Sequence, residues 1–242
     1  MDKYEKSIIL YDDGIGSVHY VDHMGSDLTV VNSARVSFGV NKSELVRRDR
    51  KLINYLIRHR HTSTLEHNSV TFKFVVPLYV RSQHHRHRTW SYNEISRRYT
   101  DKDLRFYEPS GFRTQHKSNR QASNENEIIN PTFGRYNTGL VPVSYPKATE
   151  VIHEHHTNSL RLFNKLIENG VCREQARGVL PQNLYTEYYG TVNLNNLLKF
   201  ISLRTHEGAQ WEIQKVAEAC LEVATDLWPV TVQSYRKLRG ES

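Results

Sequence analysis

The clearest periodicity in the chain is an alternation over residues 69–76, where Val70, Phe72, Phe74 and Val76 are apolar and Thr71 and Lys73 between them are polar. A period of two puts the apolar set on one face of a half-buried strand, and Pro77, which has no N–H to give a ladder, stops it. The run TEYYGTV (residues 186–192) reads as a second strand. Elsewhere the apolar positions recur at helical spacing. Asp27 is placed to cap a helix through Leu28, Val31 and Ala34, and Ser43 one that carries Leu45, Val46, Leu52, Ile53, Leu56 and Ile57. From Pro77 a short helix leads into the basic string HHRHR. A longer helix takes in Val151, Ile152, Leu160, Phe163, Leu166 and Ile167 and ends at Gly170; a short one runs from Arg173 and stops before Pro181. Asn193 is placed to cap Leu194, Leu197, Leu198 and Ile201. The most regular stripe, Ile213, Val216, Ala217, Cys220, Leu221, Ala224 and Leu227, is closed by Pro229 and reads as the last helix, its large apolar residues forming core. Residues 108–147 are different: Pro109, Pro131, Pro142 and Pro146 lie among Asn, Gln, Ser and Gly, which predicts a long surface loop or insertion. The pattern implies an α+β fold, a small and mainly antiparallel sheet packed by helices. We expect a single domain over residues 1–242 with a loop-rich insertion at about 108–147.

Composition narrows the class. Apolar residues make up 38% and charged residues 24% of 242, a globular balance. Cys172 and Cys220 are far apart and form no disulfide framework, which fits a reducing compartment. The N-terminus has only the apolar run of residues 8–10 before Tyr11, Asp12 and Asp13, which argues against a signal peptide, and no stretch approaches the roughly 18 apolar residues of a membrane span. The expectation is a soluble cytoplasmic protein with no membrane partner. A formal charge of +7 favours anionic partners without naming them.

The location of the cations says more. Residues 83–99, QHHRHRTWSYNEISRRY, hold Arg86, Arg88, Arg97 and Arg98, three histidines and one acid, Glu94. A bare charge run is usually a solvated face. Here Trp90, Tyr92 and Tyr99 alternate with Ser91, Asn93 and Ser96. Arginine forks pair with phosphate, hydroxyls and amides supply directional bonds, and aromatic rings stack on planar ones. The composition points to a nucleotide site, for free nucleotide or nucleic acid. No cysteine or His-x-x-x-His ladder joins His84, His85 and His87, so no metal is expected. His155 and His156, among polar neighbours, read as surface residues. Ser96 lacks a recognisable base and orienter, which favours a phosphate-binding hydroxyl over a nucleophile. Both cysteines read as packing residues.

Arg86, His87, Arg88, Ser91, Asn93, Glu94, Ser96, Arg98 and Tyr99 stand at the spacing R-H-R-x-x-S-x-N-E-x-S-x-R-Y. This resembles the signature of the flavin-dependent thymidylate synthases, at all nine fixed positions. ARVSF (34–38), HTSTLEH (61–67), ARGVLPQNLYT (176–186), TVN (191–193) and AQWEIQ (209–214) look like family segments in family order, leaving 108–147 as the weak part.

The resemblance implies an α+β homotetramer with active sites shared between subunits. It implies bound FAD, reduction by NADPH, methylenetetrahydrofolate as carbon donor, and conversion of dUMP to dTMP with release of tetrahydrofolate. It implies dUMP contacts at Gln83, His84, His85, Arg86, Glu94, Ile95, Ser96, Arg97, Arg98 and Arg177, and a catalytic, uracil-activating role at Arg204. It implies FAD contacts at Ser63, Glu66, Arg86, His87, Arg88, Glu94, Asn193, Leu194, Asn195 and Lys199. Asn195 stands where the family often has Arg and Lys199 where it has Asn, as if the charge had moved four residues along one helix face. Gly208 stands where some members carry His, with His206 two residues earlier. A single-strand nucleic-acid binder would spread its cations along a groove, so nucleic acid is not the expected partner. A flavoenzyme acting on another nucleotide or on tRNA uracil is the second rival.

Overall fold

The computed structural model describes residues 4–133 and 145–240. In chain order the elements are β1 (Ser7–Ile9), β2 (Ser17–Met24), α1 (Asp27–Arg35), α2 (Arg47–Arg58), β3 (Ser69–Pro77), α3 (Leu78–His84), β4 (Ser91–Glu94), β5 (Phe112–Gln115), β6 (Ser123–Ile129), α4 (Ala148–Glu168), α5 (Arg173–Ala176), β7 (Tyr185–Asn193), α6 (Leu194–Arg204), α7 (Trp211–Leu227) and α8 (Pro229–Leu238). Five strands form one sheet in the order β1-β2-β3-β7-β4, every neighbour antiparallel. The fold is α+β, as the periodicities predict. No helix among the described residues is long and apolar enough to cross a membrane.

The alternation in β3 has the expected consequence. Val70, Phe72, Phe74 and Val76 are buried, and α3, α6 and α7 cover that side of the sheet. The opposite face is polar: Thr71 and Thr191 share a 2.9 Å hydroxyl contact across the strands, and Lys73 pairs with Glu187 at 3.6 Å. A second, smaller core gathers Phe163 of α4, Ala176 of α5, Leu180 and Leu184 beside the sheet. Gly170 closes α4 at φ +85°, and Asn193 caps α6 by accepting from Asn196 N at 2.9 Å, both as the sequence predicts.

Several local expectations are corrected, each because a distant partner outweighs the local one. Asp27 does not cap the helix it opens. Its carboxylate is buried and accepts from Val230 N (2.8 Å), Thr231 N (2.9 Å) and Thr231 Oγ1 (2.6 Å), so it caps α8 instead. Ser43 caps nothing: α2 starts at Arg47, and the buried Asp49 accepts the Val46 amide while pairing with Arg35 and Lys42. Pro229 closes α7 but also opens α8, so α7 is not the last helix. His156 is no surface residue: its ring stacks on Phe106 at 4.7 Å and its Nδ1 lies 2.7 Å from Glu108.

The insertion is more ordered than its composition suggests. β5 and β6 pair as a separate antiparallel ribbon, Phe112 opposite Ile129 and Gln115 opposite Ser123. A ribbon wet on both faces needs no apolar alternation. It is held to the body by Arg113, which pairs with Glu212 at 2.6 Å and lies 4.9 Å from the Trp211 ring centroid. Residues 134–144, with Pro142, lie outside the described residues.

Replacing Asp27 with Ala leaves the buried α8 amides without an acceptor. We expect a loss of about 2–3 kcal/mol in unfolding free energy, read by urea denaturation; an unchanged midpoint would show that α8 needs no cap from α1.

Candidate active site

The basic segment is anchored by its most buried member. α3 starts where Leu78 N donates to Leu184 O at 3.0 Å and ends at His84. His84 is fully buried; its Nδ1 lies 2.8 Å from the Tyr188 hydroxyl, and Phe74, Trp90 and Phe200 surround the ring at centroid distances of 4.8, 4.5 and 4.6 Å. Burial, and then the nearby His87, His85 and Arg204, push its pKa well below the ordinary 6.5. The side chain of His84 therefore serves the core as a neutral ring and does not reach a ligand surface. Trp90, expected to stack on a ligand, is also core: it packs over Gly190, where a Cβ would come within 2.9 Å of Phe74 and 3.2 Å of Trp90. Tyr92 donates to the carbonyls of His84 (2.9 Å) and His87 (3.1 Å) and fixes the turn between α3 and β4. That turn projects Arg86 and Arg88 outward, exposed and with no side-chain partner among the described residues. His85 lies half-buried over Tyr92.

One cleft, about 510 Å³, is lined by Arg81, Glu94, Ile95, Ser96, Arg97, Arg177 and Thr186, with Leu78, Gln182 and Leu184 on its walls. It unites five of the expected dUMP residues. Glu94 accepts from Thr186 Oγ1 at 2.7 Å, and Arg81 Nε stands 3.2 Å from it. Arg97 is spent on the fold: its guanidinium donates to Lys102 O (2.7 Å) and Tyr185 O (3.3 Å). Arg98 is exposed in a 3.3 Å pair with Glu174 and does not line the cleft. Arg177 enters from the turn after α5 with no side-chain partner among the described residues, so it and the Ser96 hydroxyl, beside the Glu94-paired Arg81, are groups the cleft offers an anion. Arg81 was missed by sequence reasoning; its only signal was its place four residues before His85 on the short helix after Pro77.

A second group forms where α6 ends against α3. Arg204 Nε donates to His87 Nε2 at 3.1 Å, and its Nη2 to the Gln83 carbonyl at 3.4 Å. Burial lowers the pKa of His87 to about 4, with Arg204 adding to the effect. A neutral His87 keeps a lone pair on Nε2, which is what the guanidinium binds. The Gln83 amide Nε2 donates to Gln210 Oε1, and Gln210 Nε2 donates to Glu212 Oε2 at 2.8 Å.

Of the ten expected flavin residues, six (Ser63, Glu66, Asn193, Leu194, Asn195 and Lys199) lie on α6 or beside its start, whereas Arg86, His87, Arg88 and Glu94 stand apart on the basic turn and β4. Asn195 is buried, and its Nδ2 donates to Glu66 Oε1 at 2.7 Å. Glu66 is thus tied to α6 rather than to local amides. Asn195 and Lys199 line a cavity of about 500 Å³ whose other walls include Leu56, Ile57, Leu65, Leu198 and Tyr235. Ser63 and Glu66 are exposed on and beside the 3₁₀ turn Thr62–Leu65, while Leu194 is core and its amide is taken by the carbonyl of the buried Asn68 at 2.9 Å, so neither end of it faces a ligand surface. The Gly208 amide donates to His206 Nδ1 at 3.0 Å, so His206 shapes this loop from two residues away. The 510 Å³ cleft and the 500 Å³ cavity share no lining residue.

The depressed His87 pKa has a sign that can be checked. Between pH 6.5 and about 4 the unfolded chain takes up a proton here that the folded chain refuses. This contribution to stability is complete above pH 6.5 and is lost as pH falls through that window. NMR titration of the His87 ring should give a midpoint near 4. With Arg204→Gln the midpoint should rise but stay below 6.5, because burial is the larger cause; a midpoint near 6.5 in the parent would disprove the buried contact.

Residues 19–230 match the family model described as thymidylate synthase complementing protein. The chain is 41% identical over 224 residues to a flavin-dependent thymidylate synthase of Thermus thermophilus, covering 92% of this chain and 76% of that one. It is 39% identical over 222 residues to the corresponding protein of Thermotoga neapolitana, covering 92% and 91%. Among solved structures it resembles a UMP/dUMP methylase, PolB, from Streptomyces cacaoi, bound with 5-Br dUMP, at TM-score 0.76 and 32% identity over 95% of this chain and 97% of that one. The same methylase bound with 5-Br UMP superposes at TM-score 0.73. With a family model spanning most of its length and relatives of this identity over nine-tenths of it, the chain belongs to the thymidylate synthase complementing protein family, that of the flavin-dependent thymidylate synthases.

Proposed function

We propose that the chain methylates dUMP to dTMP, taking the carbon from methylenetetrahydrofolate and the hydride from FAD that NADPH has reduced, and leaving tetrahydrofolate. The observation that carries this reading is the contact of Arg204 with His87 and Gln83, which joins the basic signature to the far end of α6. A methylene group must gain two electrons to become methyl, and reduced flavin supplies them. The remaining work belongs to the protein. Uracil C5 is a weak nucleophile, so charge must grow on the adjacent carbonyl oxygens as it attacks. A guanidinium held by a neutral ring is oriented to stabilise that charge, because the ring accepts from it instead of repelling it. Arg177 and the Ser96 hydroxyl are suited to the substrate phosphate, and Glu94 to holding Arg81 and a ribose hydroxyl in place.

The α6 cavity suits a flavin nucleotide: apolar walls for a planar group, the Asn195–Glu66 amide–carboxylate pair for polar edges, and Lys199 without an ion pair among the described residues for a diphosphate. We further propose a homotetramer with shared sites. The cleft lies at the Pro77–Tyr185 end of the β3–β7 pair and the cavity at the Ser69–Asn193 end. At roughly 3.4 Å per residue these ends are about 27 Å apart. Arg86 and Arg88, outward and without a side-chain partner among the described residues, are placed to complete a neighbour's site. The exposed free thiol of Cys172 suits a reducing, cytoplasmic setting. The methylase crystallised with both 5-Br UMP and 5-Br dUMP favours one variant reading, in which UMP is also a substrate.

Purified protein loaded with FAD, with NADPH and methylenetetrahydrofolate, should form dTMP from dUMP, and running UMP in parallel decides the variant reading. No methylated product from either nucleotide would overturn the proposal. Arg204→Lys keeps the charge but loses the planar fork; turnover should fall at least about 100-fold, while anaerobic bleaching of the flavin by NADPH persists. Near-parental turnover at saturating dUMP would remove Arg204 from the chemistry.

If Lys199 carries the charge that relatives place at position 195, Lys199→Ala should raise the FAD dissociation constant more than Asn195→Ala does. Flavin fluorescence titration measures both, and the reverse order rules the relocation out.

A further inference from the structure

The Gln83 side chain is not free to choose which end of its amide it shows. Its Nε2 donates to Gln210 Oε1, and Gln210 Nε2 in turn donates to Glu212 Oε2 at 2.8 Å. Glu212 is only 5% exposed and pairs through its other oxygen with Arg113 at 2.6 Å, so its carboxylate acts as an acceptor. An acceptor at the end of a chain of amides fixes every dipole before it. Turning Gln210 over would set its oxygen against the carboxylate, and turning Gln83 over would set two carbonyl oxygens together. Gln83 Oε1 is therefore the atom that faces away, and it receives no hydrogen bond among the described residues. It sits on the residue whose backbone carbonyl binds Arg204.

Resting on the reading of Gln83 and Arg204 as base contacts, we propose that Gln210 and Glu212 are positioning residues that hold the Gln83 oxygen toward the substrate, and that this selects uracil over cytosine. Uracil shows a ring N–H at position 3 between two carbonyl oxygens; cytosine has a bare ring nitrogen there and an amino group beside it. An oxygen acceptor from Gln83 beside donors from Arg204 complements the uracil edge. Against cytosine the same oxygen meets a lone pair, which leaves a part-buried acceptor without a donor. The insertion takes part, because Arg113 at the start of the β5–β6 ribbon neutralises the buried Glu212 and is itself held by Ser123 Oγ at 3.0 Å.

The test is calorimetric titration of the FAD-loaded enzyme with dUMP and with dCMP. The parent should prefer dUMP. Gln210→Ala frees the Gln83 amide to turn, so the preference should fall about tenfold, chiefly because dCMP binds better, while flavin absorbance and melting temperature hold. A merely structural loosening would weaken both nucleotides alike and leave their ratio unmoved. The paired exchange Gln210→Glu with Glu212→Gln keeps an acceptor facing Gln83 and an amide facing Arg113, and should retain the parental ratio. If Gln210→Ala discriminates as the parent does, the inference is wrong. Should Gln210→Ala fail to fold, the exchange decides alone, and loss of discrimination in a folded, flavin-bound protein overturns the idea. A parent that binds dUMP no better than dCMP would instead overturn the reading of Gln83 as a base contact, and this inference with it.

Discussion

The pairing of β3 with β7 is the constraint on which the rest depends. Nine residues of each strand meet in register, from Ser69 opposite Asn193 to Pro77 opposite Tyr185, although more than a hundred residues separate them in the chain. Closing so long a loop costs entropy that only a large buried face repays. The apolar side of β3 and the aromatic rings around His84 supply that face. Every functional segment hangs from an end of the pair. α3 and the basic turn leave β3 at one end, where the cleft forms with the start of β7. α6 leaves β7 at the other end, and its Asn195 and Lys199 line the second cavity.

α6 then runs back under the sheet, about 16 Å at roughly 1.5 Å per residue, and delivers Arg204 to the end of α3. The cations of the basic segment are thereby sorted by their surroundings. His84 and His87 are buried enough to lose their charge, and Arg97 is consumed by backbone carbonyls. Among the described residues, Arg86, Arg88 and Arg177 keep guanidinium groups without a side-chain partner toward the outside. The repulsion implied by so dense a basic run is relieved by neutralising some members rather than by adding acids. The only carboxylate in the run, Glu94, is held by Thr186 and Arg81.

The polar chain from Arg113 through Glu212 and Gln210 to Gln83 links the insertion to the C-terminal end of α3. A buried carboxylate is costly unless paired, and Glu212 finds its partner on the ribbon, which Ser110 and Asn130 also tie to the body through Asp12 and Thr149. One ion pair thus joins the ribbon to the amide chain that ends at Gln83.

By itself the sequence determined the half-buried β3, the helices of α4, α6 and α7, the Asn193 cap and the family signature, because each depends on residues within a few positions of one another. Gln83, Arg177 and Arg204 lie outside that signature and stand out in the sequence only through the wider family resemblance, because a nucleotide site needs such residue types without fixing where along the chain they fall. What the tertiary structure decided are the choices between a local and a distant partner. Asp27 looks like a cap for its own helix and caps α8; His156 looks exposed and is buried on Phe106; Trp90 looks like a ligand platform and is core. Pro229 reads as a stop and is also a start. The β5–β6 ribbon carries no apolar period, since neither face is buried, so nothing in its pattern could announce it. Which guanidinium groups stay free follows only from which carbonyls and rings the fold brings beside them, and no spacing along the chain encodes that.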